Sequence, residues 1–259
     1  MERKFTIPQG EFDLPMKICE PDFGTVNRCI IGVHGFCGHK DNHVFQSLSE
    51  EMGFFGSATV CFDLPCHGEN PMTERELILE NFHAAILTAA RWAQETYPDV
   101  PKCIFATGFG AFLTVQCLDA LRIILGEVRL VMQTPDFRMS HSLLAMKGLT
   151  EEQLLRQGRV MVGRPGDRQI EVTFGFYQEL KNALAYADFD MPMLLIHGEL
   201  DEVVPLEDVA HFRRINDHAK LVIIPGADHQ FRGPGQWDMV VDLTRDWFEL
   251  EQVTLCDWE

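Results

Sequence analysis

Short apolar runs alternate with longer segments of helical periodicity along this chain of 259 residues. The apolar runs predict strands at 17–19, 29–33, 58–62, 103–107, 129–132, 193–196 and 221–224. The helical pattern predicts helices near 43–52, 74–96, 110–125, 206–216 and 235–250, and Thr73 with Glu76 has the spacing of a capping box for the second of them. Because the strands are almost continuously apolar, the sequence predicts a mostly parallel, twisted sheet with helices on both faces.

One segment departs from this alternation. Positions 134–187 are rich in Met, Arg and Gly, and they predict a cap inserted into a single domain that spans residues 1–259. The segment also contains three aromatic residues, Phe174, Phe176 and Tyr177. We expect them to pack within the cap; the alternative is that they line an apolar pocket.

The charge and the cysteines restrict the classes of partner and compartment. A formal net charge of −17 disfavours binding to nucleic acid or to anionic membrane surfaces. The opening MERKFTIPQG lacks the apolar core of a signal peptide, and no apolar run approaches the ~18 residues that indicate a membrane span. The eight cysteines show neither a CxxC pair nor metal-ligand spacing, so we expect reduced thiols in a cytoplasmic protein and no metal.

Chemically functional side chains follow five of the predicted strands. The segments that carry them are HGFCGHKDNHVF from His34, FDLPCHGE from Phe62, FATGFGAF from Phe105, LLIHGELDEVVP from Leu194 and IIPGADHQF from Ile223. In open α/β sheets, ligands bind beyond the carboxyl ends of the strands. The sequence therefore predicts one ligand site to which all five segments contribute.

In these motifs and their order, the chain resembles the α/β-hydrolase family, and within it small bacterial cinnamoyl (feruloyl) esterases and monoacylglycerol lipases. The resemblance covers about residues 8–250. It implies an α/β-hydrolase fold and hydrolysis of carboxylic esters through a covalent acyl-enzyme. It also implies a small acyl or aryl ester as ligand and no metal or organic cofactor.

The resemblance assigns the acid and the base of a catalytic triad. It implies that Asp201 is the acid and His229 the base, with Asp136 as an alternative acid and Glu202 disfavoured by the motif. A carboxylate at Nδ1–H fixes the imidazole tautomer and stabilises the imidazolium that forms. The other ring nitrogen is then a base suited to pH near 7.

Two backbone N–H groups correspond to the oxyanion hole of the family. They belong to Phe36 and Phe109, and His34 is expected to organise the loop that carries the first of them. The family pattern G-x-S-x-G falls on positions 106–110, which places Gly108 where the family has its nucleophile. A register shifted by one places Thr107 there, but its neighbours would then be phenylalanines, where the turn needs small residues.

A glycine at this position permits three interpretations. The protein has lost serine catalysis and is a binding or regulatory module, or Gly108 stands for a serine that was replaced to trap a substrate, or His229 activates a water molecule. Cys37 and Cys66 lie in neighbouring loops and are alternative nucleophiles, although packing is favoured for each. Glycine also avoids the ~1–3 kcal/mol of strain that other residues bear in such a turn. The sequence specifies neither the substrate nor the oligomeric state.

Overall fold

An eight-stranded sheet lies at the centre of the computed structural model, which describes residues 1–163, 168–183 and 187–249. Its strands are β1 Glu2–Gln9, β2 Phe12–Cys19, β3 Arg28–Val33, β4 Ser57–Phe62, β5 Lys102–Thr107, β6 Val128–Gln133, β9 Met193–Gly198 and β10 Ala219–Ile224. Their spatial order is β1-β2-β4-β3-β5-β6-β9-β10. The six strands from β4 to β10 in this order are parallel, which confirms the predicted mostly parallel sheet.

The antiparallel edge of the sheet was only partly predicted. Strand β1 pairs with β2, and β2 pairs with β4, both antiparallel. Strand β1 has no apolar run, because most of its side chains are exposed at the sheet edge. Backbone hydrogen bonds to β2, and not burial of its side chains, hold β1 in the sheet. The sequence of β1 therefore shows little hydrophobic pattern.

Helices cover both faces of the sheet. The helices outside the inserted segment are α1 His43–Phe54, α2 Leu79–Thr96, α3 Phe109–Gln116, α4 Leu118–Leu125, α8 Leu206–Ile215 and α9 Gln236–Glu249. Alternate strand side chains point to opposite faces, so Ile30 and Phe105 pack beneath α1 and α9, whereas Ile31 and Ala106 pack beneath α2 and α3.

Two predicted helices are interrupted. The segment expected at 74–96 is a 3₁₀ turn, Glu74–Glu76, followed by α2. The Glu76 carboxylate accepts hydrogen bonds of 2.7 Å from both the N–H and the hydroxyl of Thr73, so the predicted capping pair holds the short turn instead of the long helix. The segment expected at 110–125 is divided at Cys117 into α3 and α4.

The segment between β6 and β9 packs against α2. It contains α5 Met139–Lys147, α6 Glu151–Gln157, the hairpin of β7 Arg159–Val162 and β8 Ile170–Thr173, and α7 Phe174–Asn182. The ring of Phe176 stacks on Phe82 of α2 at 5.7 Å, and the Glu179 carboxylate accepts the N–H of Leu79 at 2.8 Å. Residues 164–167 and 184–186 of the predicted cap lie outside the described residues.

A buried ion pair joins the loops that follow β3 and β4. The Lys40 ammonium donates to the Asp63 carboxylate at 3.1 Å, and also to Asp41 and Glu69. The side chain of Lys40 is 1% exposed and that of Asp63 is 0% exposed. Asp63 also accepts the backbone N–H groups of Lys40 and Glu69, at 2.7 and 2.9 Å. This network fixes the two loops relative to each other.

We expect Lys40→Met to lower the free energy of unfolding by about 3 kcal/mol, because it leaves the Asp63 charge buried without its cation. Lys4→Met is the matched control: Lys4 is 48% exposed and its bond to Asp41 lies at the surface. Its loss should cost less than about 1 kcal/mol. Urea unfolding of both variants checks this, and equal losses would contradict the structural role of the buried pair.

Candidate active site

A pocket of about 170 Å³ lies at the carboxyl ends of the parallel strands. Loops after β3, β5, β6, β9 and β10 contribute to its lining, which includes Gly35, Phe36, Thr107, Gly108, Phe109, Gln133, Asp136, Val203 and His229. Four of the five predicted segments therefore meet here; the segment from Phe62 contributes no lining residue. The volume is below the ~300 Å³ of common ligand sites, which suits a small ligand.

The turn between β5 and α3 falls on Gly108. Its φ of 49° and ψ of −116° lie in a region that L-residues with a side chain rarely adopt. Its N–H donates to the Gln133 carbonyl at 3.0 Å. Apart from the adjoining Thr107 and Phe109, the described atoms nearest to a Cβ added to Gly108 would be Gly35 Cα at 3.9 Å and the Thr134 carbonyl oxygen at 4.0 Å. Space for a side chain is therefore present, and only the backbone conformation opposes one.

The next glycine of the turn fixes its register. A Cβ on Gly110 would lie 2.5 Å from the His34 carbonyl oxygen and still closer to that of Val33. Helix α3 therefore crosses the end of β3 at a distance that excludes any other residue. Thr107 is the last residue of β5 and not the residue of the turn, so the alternative register is not the one that the chain adopts.

Asp201 and His229 form a hydrogen-bonded pair. The Nδ1–H of His229 donates to Asp201 Oδ2 at 2.8 Å, which leaves Nε2 as the basic nitrogen. The other carboxylate oxygen accepts the N–H groups of Val203 and Val204, each at 2.8 Å. Burial raises the pKa of Asp201, but these hydrogen bonds outweigh it, so its pKa is lowered and the carboxylate stays ionised.

His34 organises the loop that leads to Phe36. Its Nδ1–H donates to the Gly35 carbonyl at 2.8 Å, while Nε2 accepts the N–H of Leu64 at 3.0 Å. This arrangement requires a neutral ring, and burial lowers the pKa of His34 to about 4. The ring of Phe36 meets that of Phe109 edge-on at 5.4 Å. Because Phe109 is the first residue of α3, its N–H has no partner within that helix.

Neither alternative acid accepts the hydrogen bond that His229 Nδ1–H donates to Asp201. Asp136 is buried beside Gly108, and its N–H donates to the Gly108 carbonyl at 3.1 Å. Its carboxylate accepts the N–H of Arg138 at 3.1 Å, whereas His229 donates to Asp201. Burial raises the pKa of Asp136 to about 6. Glu202 is exposed and its carboxylate lies 3.9 Å from the Arg232 guanidinium.

The two cysteines differ in their placement. Cys37 lines the pocket, with a positive φ of 60°. Cys66 is buried and its thiol donates to the Thr73 carbonyl at 2.9 Å. Burial raises the pKa of Cys66 to about 12, which suppresses the thiolate that a nucleophile requires.

The pocket contains two groups that the strand-end motifs did not reveal. Thr134 has a positive φ of 42°, which is rare for a β-branched residue, and its carbonyl faces the turn at Gly108. Met139 and Met146 of helix α5 also line the pocket, whereas Phe176 and Tyr177 are buried elsewhere. Thr134 directly follows strand β6, and this place at a strand end is the sequence signal that could have identified it.

Among residues 1–163, 168–183 and 187–249, no group of three or more His, Cys, Asp or Glu side chains is placed to hold a metal ion. Within the same described ranges, none of the helices combines the length and the apolar character needed to cross a membrane.

We expect Gly110→Ala to lower the free energy of unfolding by about 3 kcal/mol, because the added methyl group meets two backbone carbonyls that cannot move independently. Gly108→Ala adds the same methyl group in open space, so only backbone strain of about 1 kcal/mol should result. Urea denaturation of both variants provides the comparison. A larger loss for Gly108→Ala would mean that α3 does not cross β3 as described.

Asp136 should make stability depend on pH. Its pKa is raised from 3.8 to about 6, so the folded chain binds its proton more tightly and loses stability as pH rises through this window. Asp136→Asn removes the charge and should raise the free energy of unfolding on the order of 2 kcal/mol at pH 7.5, with no gain at pH 4. Asp190→Asn, at a site 97% exposed, is the control and should change neither value. An equal gain at both pH values would contradict the burial of the Asp136 charge.

Comparison with known proteins identifies the fold and the family. Est1E from Butyrivibrio proteoclasticus with bound ferulic acid has a TM-score of 0.74 at 18% identity over 94% of this chain and 97% of that chain. A soluble variant of monoglyceride lipase from Saccharomyces cerevisiae, in complex with a substrate analog, has a TM-score of 0.73 at 12% identity over 96% of each chain. Alpha/beta hydrolase domain-containing protein 10 from mouse has a TM-score of 0.72 at 15% identity over 95% of this chain and 98% of that chain.

These structures share the fold with the present chain. A search of curated protein sequences gave no match. The sequence pattern of the alpha/beta hydrolase family matches residues 30–243, which is most of the chain. The predicted fold is thereby confirmed, and the chain belongs to the alpha/beta hydrolase family.

Proposed function

We propose that this chain binds a small carboxylic ester, or the acyl or aryl part of one, in the pocket at Gly108, and that it forms no serine acyl-enzyme. The observation that carries this proposal is the hydrogen-bonded pair of Asp201 and His229 beside a turn whose central residue has no side chain. This pair supplies a candidate base with an orienting carboxylate, and position 108 has no side-chain atom for that base to activate.

The remaining groups support binding of an ester carbonyl. The N–H groups of Phe36 and Phe109 are the candidate oxyanion donors, and neither depends on a side chain at position 108. Donors of this kind contribute ~2.7–4 kcal/mol each to transition-state stabilisation when they are preorganised. Without a nucleophile, hydrolysis should keep only the ~10³–10⁴-fold acceleration over water that oxyanion hole and binding provide.

The pocket and the structural relatives support the proposed ligand class. Ferulic acid is bound in the Est1E structure, and a substrate analog in that of the monoglyceride lipase. Phe36 and Met146 offer apolar surface to an acyl or aryl group, and the buried Phe109 and Met139 pack behind this lining. The insertion at 134–187 is proposed to act as a cap over this ligand, because its helix α5 supplies the two methionines.

A second candidate function is hydrolysis by water that His229 activates directly. The open volume beside Gly108 favours it, since, apart from Thr107 and Phe109 next to it in the chain, no heavy atom of the described residues lies closer than 3.9 Å to the position of the absent Cβ. A cytoplasmic location is also proposed; the seven described cysteines are unbridged, and Cys256 lies outside the described residues.

Gly108→Ser should place a hydroxyl within reach of His229 and raise esterase activity by ~10²-fold or more, because nucleophile and base act as a unit. The serine must adopt the strained backbone, so the variant should lose about 1 kcal/mol of stability. Hydrolysis of 4-nitrophenyl acetate and methyl ferulate at about pH 7.5, with a thermal melt of each protein, measures both effects.

Gly108→Ser combined with His229→Ala is the control for this experiment, and it should return to the activity of the unaltered chain. A folded Gly108→Ser protein that binds methyl ferulate without faster hydrolysis would show that the pocket is a binding site only. Turnover of the unaltered chain near the ~10 s⁻¹ of ordinary enzymes would contradict a role in binding alone. A covalent acyl-enzyme would then indicate a side-chain nucleophile, and its absence would indicate water activated by His229.

A further inference from the structure

Two residues with acceptor side chains flank the turn at Gly108. The N–H of Gly108 donates to the Gln133 carbonyl at 3.0 Å, and the N–H of Asp136 donates to the Gly108 carbonyl at 3.1 Å. Both residues belong to the lining of the pocket. We call the Gln133 amide and the Asp136 carboxylate the acceptor pair. A ligand whose ester group lies at Gly108 has this pair beside it.

The side-chain oxygen of Gln133 lacks a hydrogen-bond partner. Gln133 is the last residue of β6, at the edge of the sheet that borders the pocket. The residue is 4% exposed, and its Oε1 receives no hydrogen bond from the described residues. A buried acceptor without a donor is unfavourable, so this oxygen requires an N–H or O–H group from a water molecule or a ligand.

The Asp136 carboxylate lacks a cation. Its hydrogen-bond partners are neutral: the backbone N–H of Arg138, at 3.1 Å, and the hydroxyl of Ser142. The Arg138 guanidinium instead contacts Asp208 and His141, at 3.1 and 2.9 Å. Within the described part of the chain, the pocket lining contains no lysine or arginine. Since the pKa of Asp136 is about 6, its carboxyl is mostly ionised near pH 7, and a buried charge without an opposite charge is unfavourable.

Charge distinguishes a ligand from a trapped water molecule. Water satisfies the Gln133 oxygen, but it brings no charge to offset that of Asp136. The imidazole of His229 acts on Asp136 only through space, and its Nδ1–H already donates to Asp201. An ammonium group supplies what both members of the acceptor pair lack, because it carries three N–H donors and a positive charge.

Resting on the proposed function, we propose that the acceptor pair binds an ammonium group, and that the ligand is an ester with this group close to its carbonyl carbon, as in an amino-acid ester. The ammonium donates one N–H to Gln133 Oε1 and another to the Asp136 carboxylate. The ester carbonyl meanwhile lies at the N–H groups of Phe36 and Phe109. An uncharged ester gains no ion pair, and an anionic one is repelled by Asp136.

Calorimetric titration of the unaltered chain with two esters of one skeleton tests this proposal. Phenylalanine methyl ester and methyl 3-phenylpropanoate differ only in the ammonium group. At about pH 7 the Asp136 carboxyl is mostly ionised and an α-amino group is largely protonated. We expect the ammonium ester to bind ~10-fold or more tightly, because its hydrogen bonds to the acceptor pair are charge-assisted. Equal Kd values for the two esters would overturn the proposal.

Asp136→Asn keeps the shape of the side chain and removes its charge, so the preference for the ammonium ester should fall to about twofold or less. Gln133→Leu removes the amide at similar size and should reduce the preference by ~3-fold or more. Glu202→Gln is the matched control: it removes an exposed carboxylate next to Val203 of the lining, and the full preference should remain. A thermal melt confirms that each variant is folded.

A full preference in Asp136→Asn or in Gln133→Leu would overturn the acceptor pair as an ammonium site, and so would loss of the preference in Glu202→Gln. Titration with methyl ferulate separates this inference from the proposed function. Binding of methyl ferulate, together with equal affinities for the two matched esters, overturns only the ammonium site. Absence of binding by all three esters overturns the proposed function and the ammonium site together.

Discussion

The crossing of helix α3 over the end of strand β3 is the constraint on which the rest of the site depends. Gly110 brings the helix so close to the carbonyls of Val33 and His34 that a methyl group has no room. The chain can make this crossing only through a sharp turn at Gly108, with a positive φ of 49°. The same turn places Gly108 and Phe109 in the lining of the pocket that His229 also lines.

Buried polar groups then fix the loops around this turn. His34 is neutral and hydrogen-bonded on both ring nitrogens, and it ties the loop after β3 to the loop after β4. The ion pair of Lys40 and Asp63 joins the same two loops a second time. Buried groups with all partners present are rigid, since breaking one bond leaves an uncompensated charge or dipole. The candidate oxyanion donor at Phe36 is carried by this doubly fixed loop.

The sequence predicted the central sheet and the gathering of Gly108, Asp201 and His229, because parallel apolar strands place their carboxyl ends at one edge. It did not predict strand β1, whose exposed side chains carry no apolar run. Nor did it predict the pairing of Lys40 with Asp63, which lie far apart along the chain and meet only through the fold. The strained backbone of Thr134 was likewise invisible, since threonine has no sequence signal for a positive φ.

We propose that the site retains the acid, the base and the oxyanion donors of a serine hydrolase and lacks only the hydroxyl at position 108. Labelling with a fluorophosphonate, followed by peptide mass mapping, tests it most directly, because this reagent reacts with a serine that a histidine base activates. The account predicts no adduct on the unaltered chain and, in the Gly108→Ser variant, a single adduct on the peptide that carries the introduced serine. An adduct on the Cys37 or Thr107 side chain of the unaltered chain, or a folded variant that stays unlabelled, would contradict it.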